Sequence, residues 1–285
     1  MTASLRDLRV LAQGLDHPEG VATGPDGMIY AGGEAGQVYR IDPGSGQVAE
    51  LANTGGFVLG LCHDAAGAVY VCDVSERPAI RRVDPATGEV SAYCASADGG
   101  PLETPNYAAF AADGTLWFTD SGTEDLDVRN GRLIRVPPDG GDGQVLGLGE
   151  LHFPNGMCLD AAGRPAFLET LTPRLSVVVD GSAEVVCEFP GNSPDGLALT
   201  ADGGFLVACY YPFRLLRVPP GGGSYEVVLD DPTGIHIPMP TNVCFFGEGL
   251  RQVAIASLGG QVVKAIDLGI AGAAVQYPRL PAPGR

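Results

Sequence analysis

The chain has 285 residues, is 45% apolar and carries a net charge of −17, enough apolar content for one large core or two small ones. That acidity makes nucleic acid and anionic membranes poor electrostatic partners, and no run approaches the roughly 18 apolar residues of a membrane span. Seven cysteines without a C-x-x-C spacing argue for free thiols in a reducing compartment, not for a disulfide framework or cysteine-bound zinc.

Residues 1–10 are charged and lack an apolar signal core, so a cytoplasmic location is expected. The first element is a short strand near 9–13 that belongs to no repeat. Its expected partner is the C-terminal segment near 274–276. From residue 17 onward one motif returns in six variants. It reads H-P-E-G-V-A-T at 17–23, V-L-G-L-C-H at 58–63 and T-P-N-Y-A-A-F at 104–110. It returns as F-P-N-G-M-C-L at 153–159, S-P-D-G-L-A-L at 193–199 and M-P-T-N-V-C-F at 239–245. After each copy comes a turn such as G-P-D-G, D-A-A-G, A-D-G or G-E-G. Asp26, Asp64, Asp113, Asp160 and Asp202 are read as residues of those turns.

A second strand follows most turns, as at 28–30, 69–71, 116–119 and 205–208, where β-branched and aromatic residues alternate with others. Third strands are read at 36–41, 79–83, 131–136, 175–178, 214–218 and 260–263, and a fourth as at 88–93. No apolar period of 3.6 residues is long enough for a helix. The motif recurs every 40–49 residues, the period of propeller blades. The expectation is an all-β, six-bladed β-propeller with a central metal-binding channel. Its blades run approximately over 15–56, 57–100, 101–150, 151–190, 191–235 and 236–285, with the N-terminal strand closing the ring. A pair of β-sandwiches is the competing architecture, disfavoured by the regular period.

One slot in the motif, just after the proline where there is one, holds Glu19, Leu59, Asn106, Asn155, Asp195 and Thr241. The innermost strand of each blade lines the channel, so equivalent positions converge on one axial spot. Glu19, Asn106, Asn155 and Asp195 offer a hard, all-oxygen donor set suited to Ca²⁺. Mn²⁺ and Mg²⁺ are alternatives, and Zn²⁺ is a further one although it favours His or Cys. Leu59 and Thr241 ligate poorly and leave their side open for substrate. A single Asn-Gly or Asp-Gly is an ordinary turn; four oxygen-bearing side chains at one repeat position are not.

The P-E-G, P-N, P-N-G, P-D-G series resembles the gluconolactonase and senescence-marker-protein (regucalcin) family, as do A-D-G-T-L-W-F-T-D at 112–120 and P-T-N-V-C-F-F-G-E-G-L at 240–250. The resemblance spans roughly 15–270 and implies a six-bladed propeller with a divalent ion, commonly Ca²⁺, that hydrolyses lactones. Carried over by motif, the ligands are Glu19, Asn155 and Asp195, with Asn106 near the metal. The related propeller diisopropylfluorophosphatase uses a similar Glu, Asn, Asn, Asp set. Sugar lactonases of the family often have an Arg two residues before the third-blade Asn and a small or acidic residue after it. Here Thr104 and Tyr107 stand there, so a bidentate grip on sugar hydroxyls is missing. Tyr107, Phe153, Tyr210, Tyr211 and Phe213 suggest a more aromatic cavity, while Trp117 reads as core.

In this reading Asp195 is base or nucleophile, and Glu19 is purely a ligand. Asn106, Thr104, Tyr107 and His152 are the substrate-binding candidates. His17, His152 and His236 are alternative bases, although a lone His near a strand end is more often structural. The absence of G-x-S-x-G leaves a serine mechanism unsupported, and no phosphate-binding glycine loop opens a helix. The function expected is metal-dependent hydrolysis of a lactone or similar cyclic ester by a monomer or small homo-oligomer. Two alternatives remain open. One is a non-hydrolytic cyclase or condensing enzyme, as in strictosidine-synthase-like propellers. The other is a binding propeller whose Ca²⁺ is structural.

Overall fold

The structure is a computed structural model and describes residues 3–123 and 125–281. Six four-stranded antiparallel sheets form a six-bladed propeller. Their innermost strands are Val21–Thr23, Phe57–His63, Pro105–Phe110, Pro154–Leu159, Ser193–Leu199 and Pro240–Phe246. These six touch one another in that order, and the last touches the first. The described helical residues are confined to two three-residue 3₁₀ turns, so no described helix is long and apolar enough to cross a membrane.

Each blade has two apolar faces because each packs between two neighbours. In the fifth blade, Leu206, Ala208 and Leu215 join the cluster shared with the sixth blade. The alternate residues Phe205, Val207 and Leu216 join the cluster shared with the fourth. Four further clusters fill the remaining seams. The core is thus six seams in a ring, which is why strands such as Phe205–Tyr211 read as continuous apolar runs. Trp117 is half-buried and packs at the seam between the third and fourth blades.

The sixth blade supplies three strands of its own sheet, and Arg9–Gln13 completes it by pairing antiparallel with Val262–Asp267. The partner of the N-terminal strand is therefore Val262–Asp267 and not the segment near 274–276. The apolar character of that segment has another outlet. The stretch from 268 to 281 crosses the face of the ring. Ala201 N donates to Ala271 O (2.8 Å), Ala273 N to Leu199 O (3.0 Å) and Ala65 N to Pro278 O (2.9 Å).

The innermost strands approach so closely that the residue after the slot is glycine in four blades. A Cβ on Gly20 would stand 2.0 Å from Leu59 O, and one on Gly156 2.2 Å from Asp195 O. The obstruction is neighbouring main chain, which cannot swing aside. Gly156→Ala is expected to destabilise the fold by about 1–3 kcal/mol or more, read as a lower denaturation midpoint. An unchanged midpoint would mean that the ring has slack here.

Candidate functional site

Each slot residue except Glu19 sits where the pairing of first and second strands slips. The register shifts between Val58 and Leu61, Pro105 and Ala108, Pro154 and Met157, Pro194 and Leu197, and Pro240 and Asn242. A bulge re-aims the side chain it carries. Two residues before the slot, His17, Phe153 and Met239 adopt φ of 40°, 58° and 50°. Non-glycine residues rarely take this left-handed conformation, which costs of order 1–3 kcal/mol each and is concentrated at functional sites. The same local geometry is therefore imposed on several blades at one level of the channel.

Glu19, Asn106, Asn155 and Asp195 are all buried. Burial first, and then the charge of Glu19, push the Asp195 carboxyl well above its usual range, with the Asn155 side chain acting in the opposite sense. Burial pushes Glu19 up to about 7, and its Oε2 has no hydrogen-bond partner among the described residues. The Glu19 charge thus acts on the buried Asp195 carboxyl, and no cationic group is among the causes that shift either acid. Asn106 Nδ2 donates to Ser121 Oγ (3.0 Å) and Asn155 Nδ2 to Thr170 Oγ1 (3.1 Å). Those hydroxyls are themselves fixed, donating to Pro154 O (2.8 Å) and Pro194 O (2.7 Å). Tying down each amide nitrogen identifies the free end of each side chain as its oxygen. Two carboxylates, one of them with an orphaned oxygen, and two oriented amide oxygens are chemically a hard-cation donor set.

The other slots differ. Leu59 packs into the seam between the second and third blades. The Thr241 hydroxyl donates to the main-chain oxygen of Glu19 (2.7 Å) and links the sixth blade to the first.

Support comes from buried acids at the ends of second strands. Asp73 pairs with Arg81 Nε at 2.6 Å, Asp120 with Arg132 and Glu169 with Arg174. Asp120 accepts from the main-chain nitrogens of Glu103, Thr104 and Gly122 at 2.8–3.2 Å, and Glu169 Oε1 accepts from His152 N at 2.9 Å. Asp120 and Glu169 thereby hold the segments leading into the Asn106 and Asn155 slots. The repeat pattern does not single them out, nor Ser121 and Thr170, whereas Tyr210 stands among the aromatic residues expected near the cavity. The signal available was T-D-S at 119–121 and E-T at 169–170, a polar ending on otherwise apolar strands. Burial first, and then the charges of Asp195 and Glu19, raise the Tyr210 hydroxyl.

The remaining candidates separate. His152 is tied through both ring nitrogens, to Thr172 Oγ1 (3.2 Å) and Leu126 O (2.8 Å). His17 Nδ1 lies 3.0 Å from Asp16 and 3.3 Å from Glu34. His236 is exposed, and its main-chain nitrogen donates to Asp231. Thr104 uses its hydroxyl on Gly122 O (2.7 Å). Tyr107 is buried and lines a cavity further along the channel, not the mouth near His152. Asp26, Asp64, Asp113, Asp160 and Asp202 accept from main-chain nitrogens two residues on, as turn residues do. All seven cysteines are free.

Three comparisons place this geometry among known proteins. The model of the family described as SMP-30/Gluconolactonase/LRE-like region matches residues 34–259, and that of the strictosidine synthase-like N-terminal region matches 3–41. The 6-deoxy-6-sulfogluconolactonase of Pseudomonas putida is 28% identical over 78% of this chain and 76% of its own. The protein strictosidine synthase-like 6 of Arabidopsis thaliana is 28% identical over 68% of this chain, which spans only 56% of that relative's length. Among solved structures, a regucalcin from Agrobacterium tumefaciens, described as a calcium-binding protein, superposes with a TM-score of 0.78 at 18% identity, covering 95% of this chain and 97% of its own. A gluconolactonase from Xanthomonas campestris does so at 0.76 and 21% identity, covering 91% and 89%.

Proposed function

We propose, because the chain belongs to the SMP-30/gluconolactonase/LRE-like family, that it is a divalent-metal-dependent hydrolase of a lactone or similar cyclic ester. The observation that carries this reading is the buried Glu19–Asp195 pair, with an unpartnered Glu19 oxygen and two oriented amides beside it. Such a pair is costly to ionise unless a cation is shared. Glu19, Asn155 and Asp195 would hold the ion and Asn106 would hold it or stand next to it, with Ca²⁺ the best match and Mn²⁺ or Mg²⁺ next. A bound ion there would polarise the ester carbonyl and stabilise the developing oxyanion.

The chain's own residues do the rest. Asp195 accepts a proton from the attacking water, as a carboxylate at the reacting centre can. Glu19 stays a ligand. Asn106, its amide locked by Ser121, presents an oxygen at fixed orientation. A second reading, non-hydrolytic chemistry on the same scaffold, is favoured by the strictosidine synthase-like matches.

The deciding experiment follows product mass over panels of lactones, phosphotriesters and amine–aldehyde pairs, with and without EDTA. Lactone opening that EDTA abolishes is the expected outcome. Condensation of amine with aldehyde and no lactone opening would replace this reading with the second. Removing an amide anchor should act at a distance: Thr170→Val is expected to weaken metal affinity by roughly 10–100-fold, measured by competition with a chelating dye. Unchanged affinity would mean that the Asn155 amide needs no anchor.

A further inference from the structure

We propose that the end of the channel away from the carboxylates is a second ligand chamber, one that takes a neutral, mainly apolar small molecule. The proposal stands independently of the chemistry assigned to Glu19 and Asp195.

The chamber begins one to two residues after the slots, where Tyr107, Leu61, Met157 and Val243 line it, and continues along the innermost strands. Its volume is about 750 Å³, inside the range of about 300–1,000 Å³ that small-molecule sites occupy. The residues three past the slots are Ala22, Cys62, Ala109, Cys158, Ala198 and Cys244, and all six line it. Alanine and cysteine thus alternate around the ring, giving three small walls and three soft, polarisable ones. Burial raises the thiols of Cys62 and Cys158 and pushes that of Cys244 up to about 12, so the walls are uncharged.

Two polar side chains on the lining are neutral. Tyr107 takes the place that glycine holds in four other blades, and burial raises its hydroxyl well above its usual range. His63 is 2% exposed, its ring tilted against that of Tyr30 at 4.4 Å, and burial pushes it down to about 4. The lining thus offers apolar contact and uncharged polar groups, the usual make-up of a small-molecule site.

The far opening is covered by the C-terminal stretch. Ala273 to Tyr277 form part of the wall, and the stretch is pinned on either side of them, to Leu199 and Ala65, with the Tyr277 hydroxyl donating to Thr23 O (2.7 Å). Charge selects the ligand class. Among the described residues, only Asp113 and Asp160 of the lining side chains are acidic, and no Lys or Arg lines the chamber. Asp113 caps Thr115 N, and Asp160 is bonded to Arg164. An anion would meet no cation here, in a chain of net charge −17.

The test uses Nile red, a neutral apolar dye, and anilinonaphthalene sulfonate, an anionic one. Nile red should bind the whole protein saturably at one site, equally with EDTA and in Asp195→Asn, and the anionic dye should not displace it. Ala109→Phe and Ala198→Phe, which place a ring in the chamber, should each weaken it about tenfold or more at unchanged circular dichroism. Should either variant fail to fold, the wild-type protein decides: Nile red should slow N-ethylmaleimide labelling of Cys62, Cys158 and Cys244, mapped by peptide mass. Absence of saturable binding, equal binding in wild-type and filled proteins, or thiol labelling indifferent to the dye would overturn the proposal. Displacement by the anionic dye would overturn the neutral-ligand assignment.

Discussion

Asp195→Asn is expected to bind the divalent ion with modestly reduced affinity and to turn substrate over roughly 10²–10⁴-fold more slowly, the usual loss for a general base. The substitution retains an oxygen donor at nearly the same place and removes only the proton acceptor. The comparison must be made at saturating metal, so that any fall in occupancy is removed from the rate. Glu19→Gln provides the contrast, with a loss mainly in metal affinity. Near-wild-type turnover of Asp195→Asn at full occupancy would take Asp195 out of the mechanism and turn attention to His17 or His152.

Removal of divalent metal is expected to destabilise the fold, and to do so more as pH rises. Glu19 goes from 4.5 to about 7 on burial, and Asp195 is raised too. A carboxyl with a raised folded value favours its protonated form in the folded state. The metal-free protein is therefore favoured below the unfolded values and loses that stability as pH climbs through the folded ones, about 7 for Glu19. A shared cation reverses the penalty, since it needs both groups ionised. With Ca²⁺ at roughly 100 times its Kd, the stabilisation is about 2.7 kcal/mol, several degrees in melting temperature for a chain of this size. Thermal melts with EDTA and with Ca²⁺, at about pH 5 and about pH 8, should diverge at the higher pH. Curves that superpose at both, with metal loss verified by elemental analysis, would exclude a metal shared by these carboxylates.

What this chain reveals unaided is whatever repeats along it. Six copies of one motif at blade spacing, strands of period two and a slot that holds Glu, Asn, Asn and Asp in four of its six copies are local patterns. They can be read because each blade solves the same packing problem with nearby residues. Glu19, Asn106, Asn155 and Asp195 were legible for that reason, as was the difference at Leu59 and Thr241. What the tertiary structure decided depends on partners that no period announces. Ser121 and Thr170 orient the two amides from neighbouring strands 15 residues away, and Thr241 reaches Glu19 across 222 residues only because the ring closes. The N-terminal strand takes the free edge of Val262–Asp267; the 274–276 segment looks just as strand-like but lies across the channel mouth, where its apolar side chains line a chamber instead of a sheet. Tyr107 reads as a substrate contact beside Asn106, yet it lines that same chamber, on the far side of the carboxylates. Sequence records the alternation of inward and outward residues. Which cavity an inward residue meets, and at which depth, is settled by the closure of six blades around one axis.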